Sequence, residues 1–311
     1  MSLSREKPKL IVVLGPTASG KTEIALEIAG RTGACIISAD SVQVYRHFDI
    51  GSAKPTEQQR REIPHFLIDI VDPDEDFNAG AYMRLALDCI RGLVADGKRI
   101  VVVGGTFLYV KALFYGLLEG VETDREFREH LARERDAEGV ASLHRKLESV
   151  DPISAGRINP NDYVRIERAL EVYHVTGEKM SDHQQRHAFS EQRFNALKVG
   201  LLWGREQLRR AIDARVDAMI GRGWVEEVKT IRAMGYGPHL KPMKSIGYKR
   251  INEFLDGQLD FKTAVENIKT DTKRFSKRQS TWLRADNGIK WFDPVKERDL
   301  ILNDCYGFLQ V

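Results

Sequence analysis

A chain of 311 residues is long enough for one large α/β domain and a smaller one. With 42% hydrophobic and 30% charged residues and no fixed-period repeat, the composition excludes a largely disordered chain, a solenoid and a coiled coil. The net charge is only +3, yet Lys262 to Arg284 holds seven Lys/Arg against two Asp/Glu, so the charge is unevenly placed and points to a polyanionic partner or a solvated helix face.

The elements follow in chain order. KLIVVLG (Lys9 to Gly15) reads as a strand running through a glycine-rich loop into a helix from about Lys21 to Arg31. ACIISAD (Ala34 to Asp40) and FLIDIV (Phe66 to Val71) repeat the strand signal, Ala79 to Ala95 reads as a helix, and RIVVVGG (Arg99 to Gly105) is a fourth strand feeding the helical TFLYVKALFYG. Strands alternating with helices predict an α/β fold: a P-loop NTPase-like parallel sheet covered by helices.

From Asp124 to about His174 only charged helical patterns occur, broken at Gly139, Asp151-Pro152 and Asn159-Pro160. A strand then returns in ALKVGLLW (Ala196 to Trp203), so residues 117–195 read as an all-helical insertion between the core segments 1–116 and 196–311. Helices are expected at Arg205 to Gly221, Trp224 to Met234, Pro242 to Leu255 and Phe261 to Ala285, then a strand at Ile289 to Phe292 and a last helix. In the Phe261 helix, Ile268, Phe275 and Trp282 recur every seven residues and read as its buried stripe, while Lys273, Lys277 and Arg284 fall on another face as a basic ridge.

Cys35, Cys89 and Cys305 lie far apart without a C-x-x-C pair, which argues against a disulfide framework and a cysteine zinc site and for a reducing compartment. The opening MSLSREKPK is charged where a signal peptide is apolar, and the apolar runs are strand-sized, so a cytoplasmic chain without membrane attachment is expected.

GPTASGKT fits G-x-x-x-x-G-K-[ST] at every position: Gly15, Pro16, Thr17, Ala18, Ser19, Gly20, Lys21 and Thr22. In such a loop, backbone N–H groups and the helix N-terminus cradle a di- or triphosphate, the lysine reaches a terminal phosphate, and Thr22 can hold Mg²⁺. Asp40 ends the second strand at the edge where α/β sheets bind ligands; it reads as a metal-binding carboxylate, a general base or a helix cap. The fourth strand ends in Gly104-Gly105-Thr106, offering a hydroxyl where an NTPase would place an acid for its metal, although Thr106 can also cap the next helix. Asp69 and Asp72 read as structural. His183 and His187 stand i, i+4, but with Gln184 between them and no third ligand they read as exposed polar residues.

GPTASGKT, SADSVQVYRHFDIGSAKPT, GGTFLY, RVDAMIGRGWVEEV, KSIGYK and KRQSTWLR, in that order, resemble the tRNA dimethylallyltransferases (tRNA isopentenyltransferases) along nearly the whole chain. The resemblance implies transfer of a dimethylallyl group from dimethylallyl diphosphate to N6 of the adenosine 3′ of the tRNA anticodon, releasing pyrophosphate. It implies that Gly15 to Thr22 bind the diphosphate, Asp40 is the base, Thr106 holds and activates the diphosphate, and Arg215 contacts it. It also implies tRNA contacts by Asp40, Ser41, Val42 and Gln43; by Val164, Arg165, Ile166, Glu167 and Arg168; by Lys244, Ser245, Ile246, Gly247, Tyr248 and Lys249; by Lys277, Arg278, Gln279, Ser280, Thr281, Trp282, Leu283 and Arg284; and by Arg128. The insertion would then meet the anticodon stem-loop, although its residues 122–194 hold twelve Lys/Arg and fifteen Asp/Glu, and without the family Arg165 and Arg168 would be read as partners of nearby carboxylates such as Glu171. His47 stands where the family usually has glycine, and no cysteine/histidine finger follows, so the resemblance is to the bacterial type, expected as a monomer. A P-loop small-molecule kinase and an adenylate isopentenyltransferase are the alternatives.

Overall fold

The computed structural model describes residues 7–117, 123–187 and 192–310. β1 (Lys9–Leu14), β2 (Cys35–Ser38), β3 (His65–Phe66), β4 (Ile100–Gly104), β5 (Asn195–Leu201) and β6 (Ile289–Phe292) form one sheet in the order β3-β2-β4-β1-β5-β6, every neighbouring pair parallel. A parallel sheet needs crossovers that cover both faces, which is why β1 is buried from Leu10 to Leu14 as an unbroken apolar run. One face packs Ile11 and Val13 with Ile24 and Ile28 of α1 (Lys21–Thr32) and with Ile301 and Leu302 of α14 (Arg298–Leu309).

Between these lie α2 (Glu57–Glu62), α3 (Ala79–Ala95), α4 (Phe107–Tyr115), α5 (Arg125–Glu138), α6 (Val140–Val150), α7 (Pro152–Arg157), α8 (Tyr163–Thr176), α9 (Met180–His187), α10 (Arg205–Gly221), α11 (Trp224–Ala233), α12 (Tyr248–Leu255) and α13 (Phe261–Arg284). The chain divides into two compact units, 1–114 with 193–311, and 115–192. Between residues 123 and 187 the described chain of the second unit holds α5 to α9 and no strand; its core gathers Leu131, Leu143, Leu147, Ile166 and Leu170.

Three expectations need correction, and one helix, α2, gave no signal that was read. FLIDIV is a strand only at its start: Leu67 and Asp69 take positive φ, 62° and 56°, so the chain turns there. The helix expected over Pro242 to Leu255 is a short 3₁₀ turn, Pro242–Lys244, and then α12, because Gly247 at φ 88° breaks the path between them. α2 carries no buried residue and so no periodicity; its signal is the Thr56/Gln59 capping box. In α13 the buried face runs Ala264, Ile268, Ser276, Gln279 and Leu283, while Trp282 is 48% exposed, since a seven-residue step drifts about 20° round a straight helix and leaves the core face.

Candidate active site

Because all six strands are parallel, their carboxyl ends open on one edge, and the order β2-β4-β1 sets three of those ends side by side. β1 ends at the P-loop, β4 at Gly104-Gly105-Thr106, and β2 one residue short of Ala39-Asp40. The neighbours approach closely: a Cβ on Gly104 would lie 2.1 Å from the Ala39 carbonyl, so only glycine fits there. Thr106 N–H donates to the same carbonyl at 3.2 Å, and Ser41 N–H donates to Thr106 Oγ1 at 3.0 Å, stitching the β2 and β4 ends together.

The P-loop takes the backbone its glycines allow. Gly20 caps α1 at φ 86°, and a Cβ on Gly15 would fall 2.6 Å from Ser19 Oγ. Lys21 Nζ donates to Pro16 O at 2.7 Å. A cavity of about 130 Å³ opens on Thr17, Lys21, Thr22, Asp40, Thr106 and Arg215. Burial is the main cause that lowers the Lys21 ammonium to about 7; the neighbouring Arg215 guanidinium adds to this and Asp40 opposes it. Burial likewise lowers Arg215, against the pull of Asp40. Two desolvated cations beside one carboxylate form a site that is short of negative charge.

Asp40 is not a helix cap. Its Oδ1 accepts from Val42 N–H at 2.8 Å and Gln43 N–H at 3.3 Å, closing a turn that no helix follows, and Oδ2 takes no hydrogen bond among the described residues. Gln43 is pinned in turn: its amide donates to the Ser52 and Ala53 carbonyls and accepts from Ser38 Oγ at 3.0 Å.

A second chamber of about 340 Å³ shares Thr17, Asp40, Ser41 and Arg215 and has apolar walls of Val216, Met219, Trp224, Ile246 and Phe275. Glu227 holds its shape, accepting from Asp49 N–H, Ile50 N–H and Gly51 N–H and from the Tyr248 hydroxyl at 2.6 Å. The buried Trp224 ring fills the space where a Cβ of Gly51 or Gly247 would stand, 2.0 Å and 1.9 Å from its atoms. Burial and Glu227 hold the Tyr248 phenol well above its ordinary range.

Several residues carried by the motifs sit elsewhere than at a surface. Gln279 is buried and braces the P-loop, accepting from Thr17 N–H and donating to Gly105 O, both at 2.8 Å. Tyr248, Leu283 and Ile166 are buried, so their side chains support neighbours. Lys244, Lys249, Lys277, Arg278, Thr281, Trp282 and Arg284 are exposed, as are Val164 and Arg165 in the helical unit. There Arg128 and Arg168 both bind the fully buried Glu171, so the arginine–carboxylate pairing read from the spacing is met by Arg168. The basic ridge is partly neutralised, since Lys273 pairs with Asp213 at 2.6 Å. Asp69 is structural, binding Lys54 and Arg60, and Asp72 binds Arg46. His183 is more enclosed than expected, its side chain 16% exposed and beside Glu178 and Thr176; the side chain of His187 lies outside the described residues. His47 adopts φ 71°, the conformation for which a glycine is the easier choice.

Sequence reasoning missed Glu227, Trp224 and Phe275 as walls of the site and the bracing role of Gln279. The Trp-x-x-Glu spacing put Trp224 and Glu227 on one helix face, but their partners are 21 or more residues away in sequence.

Among known families, the model for IPP transferase matches residues 43–286. The chain belongs to the IPP transferase family. Similar curated relatives include the tRNA dimethylallyltransferase 2 of Syntrophus aciditrophicus strain SB, 46% identical with 97% of each chain covered. Another is the tRNA dimethylallyltransferase of Geobacter metallireducens, 45% identical over 97% of this chain and 98% of the relative. Among solved structures, the tRNA isopentenylpyrophosphate transferase of Bacillus halodurans is similar at 35% identity and a TM-score of 0.72, covering 98% of this chain and 97% of that one. A eukaryotic dimethylallyltransferase solved acting on tRNA is similar at 27% identity and a TM-score of 0.79, over 94% of this chain and 75% of its own.

Proposed function

We propose that this chain transfers a dimethylallyl group from dimethylallyl diphosphate to N6 of the adenosine 3′ of the anticodon in tRNA, releasing diphosphate. The observation that carries the reading is the meeting of the P-loop, Asp40, Thr106 and Arg215 at one cavity that continues into an apolar chamber. The diphosphate lies against the loop N–H groups, Lys21 and Arg215; the five-carbon group and the adenine, unstacked from its neighbours, meet in the chamber.

The N6–C1 bond forms as the C1–O bond to diphosphate breaks. The adenine N6 lone pair is delocalised into the ring, so loss of its proton to Asp40 Oδ2 as the bond forms assists attack. Negative charge growing on the leaving oxygen is met by Lys21, Arg215 and the Thr106 hydroxyl, donors that line one cavity. The donor set fits Mg²⁺ through oxygen ligands, with Thr22 and Asp40 lining the cavity and the diphosphate supplying further oxygens; the ion would neutralise part of the diphosphate charge. Among the described residues, no group of three or more His, Cys, Asp or Glu offers an all-protein metal cage. Among them, too, no helix is long and apolar enough to cross a membrane.

The helical unit meets the anticodon arm through Val164, Arg165 and their neighbours, and hydrogen exchange of residues 123–187 that is identical with and without tRNA would remove this part of the reading. The whole reading is tested by incubating radiolabelled dimethylallyl diphosphate with tRNA, AMP or no acceptor, with ATP run in parallel. Label entering tRNA alone is expected. Label entering AMP would make the enzyme an adenylate isopentenyltransferase, and phosphate transfer from ATP would make it a kinase.

A further inference from the structure

A third hollow, about 610 Å³, lies on a different face of α13 from the one that meets the P-loop cavity. Its floor is apolar, from Trp203, Leu208 and Ile212, and its walls are cationic: Arg205 and Arg209 rise from the first turns of α10, and Lys277 and Arg284 from α13. Among the described residues no Asp or Glu lines it. Lys273 at its border is neutralised by Asp213 and Arg209 is 3.8 Å from Glu206, but Arg205, Lys277 and Arg284 have no anionic partner among the described residues. A cluster of like charges that the fold leaves uncompensated raises a strong local potential and calls for a counter-charge from outside.

One further feature adds to that potential. The N-cap of α10, Gly204, supplies no side-chain hydrogen bond, so the positive end of a 17-residue helix opens beside Arg205.

We propose that this groove carries a stretch of RNA phosphate backbone, with Arg205 and Arg209 facing Lys277 and Arg284 across it. The proposal rests on the tRNA reading above and adds α10 to the RNA-contacting surface. A polymer is favoured over a small anion because the cations come from two helices: at 1.5 Å per residue Lys277 and Arg284 stand about 10 Å apart along α13 and Arg205 and Arg209 about 6 Å apart along α10, so four cations line one hollow, more charge than a single phosphate balances.

The test is the salt dependence of tRNA binding by the wild type, Arg205→Ala, Arg209→Ala and Arg205→Lys, with inorganic pyrophosphate affinity and melting temperature measured alongside. Each alanine variant should weaken tRNA binding several-fold at 0.1 M salt and lower the slope of log K against log salt by about 0.7–0.9, while Arg205→Lys keeps most of the slope. Pyrophosphate affinity and melting temperature should stay at wild-type values. Unchanged slopes in variants that bind tRNA would overturn the proposal and leave the enzymatic reading intact. Altered pyrophosphate affinity with an unchanged slope would also overturn it, showing a small-anion site. A wild type that binds no tRNA at any salt would overturn both.

Discussion

The two compartments of the site are built on opposite terms. At the phosphate end, Lys21 and Arg215 are buried together with one carboxylate between them, and among the described residues Lys21 donates to a single carbonyl. In the chamber next to it, Glu227 takes four hydrogen bonds and Trp224 packs against two glycines that leave it no spare room. The first compartment is incomplete without an anion, whereas in the second the carboxylate is satisfied within the protein, although the Trp224 indole Nε1 is buried without an acceptor. The contrast teaches where binding energy and folding energy are kept apart: a group that must exchange its partner for substrate cannot also be fully satisfied by the fold.

The largest expected effect tests whether Asp40 belongs to the reactive compartment. Asp40→Asn keeps Oδ1 as acceptor for Val42 and Gln43 and so keeps the turn, but it removes the proton acceptor. kcat should fall by about 10²–10⁴-fold with the donor KM little changed. Single-turnover transfer with both substrates saturating measures this, and a rate within about threefold of wild type would take Asp40 out of the mechanism.

Lys21→Ala should come next, weakening pyrophosphate binding by about ten- to a hundredfold, the scale of a charged hydrogen bond. The same substitution should not destabilise the fold. A lysine lowered to about 7 is a cation the folded state disfavours, so its charge costs stability below that pH and the cost fades as pH rises through it. Calorimetry at pH 6 should therefore show a melting temperature equal to or above that of the wild type; a clear drop would mean that the phosphate end is structural after all.

Glu227→Gln reverses the pattern. An amide in place of the carboxylate cannot accept on both sides, so at least one of the Asp49, Ile50, Gly51 or Tyr248 donors loses its partner. Urea denaturation should report a loss of about 1–3 kcal/mol, with pyrophosphate affinity within about threefold of wild type. Full stability together with lost affinity would erase the distinction between the compartments.

How much of this was legible in the sequence follows the range of the contacts. GPTASGKT announces its geometry because a motif between a strand and a helix fixes its own backbone, and Asp40 and Thr106 were found because strand ends fall on one edge of a parallel sheet. Gln279 was placed among RNA contacts by its neighbours, whereas its partner Thr17 is 262 residues away. Glu227 reaches Asp49 across 178 residues, and no local pattern marks such a pair. Gly51 was read only as part of a motif and Gly247 as a tRNA contact, whereas both make room for the Trp224 ring, which is remote from Gly51 in sequence. The fold, dictated by short-range periodicity, was read in nearly every element; the site's walls, dictated by long-range packing, were not.

The smallest effect gives the finest test of the contrast, because it asks whether the incompleteness of the phosphate end can be titrated. With Lys21 lowered to about 7, its ammonium is about half formed at pH 7 in the protein alone. A bound diphosphate places negative charge beside Nζ and raises that pKa, so binding takes up a proton. The sign follows: affinity is fullest below about pH 7 and falls as pH rises, because above it the lysine must first be protonated. A group half protonated at pH 7 is about one-tenth protonated at pH 8, so pyrophosphate should bind about fivefold more weakly at pH 8, tending towards tenfold per pH unit above that. Pyrophosphate's own last two ionisations fall on either side of this range and act in the opposite direction, so the lysine's contribution is read as the difference between wild type and Lys21→Ala at each pH. Isothermal titration in two buffers of different ionisation enthalpy counts the protons directly, about half a proton at pH 7 rising towards one at pH 8.5. Lys21→Ala should remove the lysine's share of the slope and of the uptake and leave the ligand's own titration, whereas Glu227→Gln should keep the wild-type behaviour, because the chamber's carboxylate is satisfied within the protein. A wild-type affinity that stays flat from pH 6.5 to 8.5 would mean that Lys21 holds its proton without the diphosphate, and that the phosphate end is as complete as the chamber beside it.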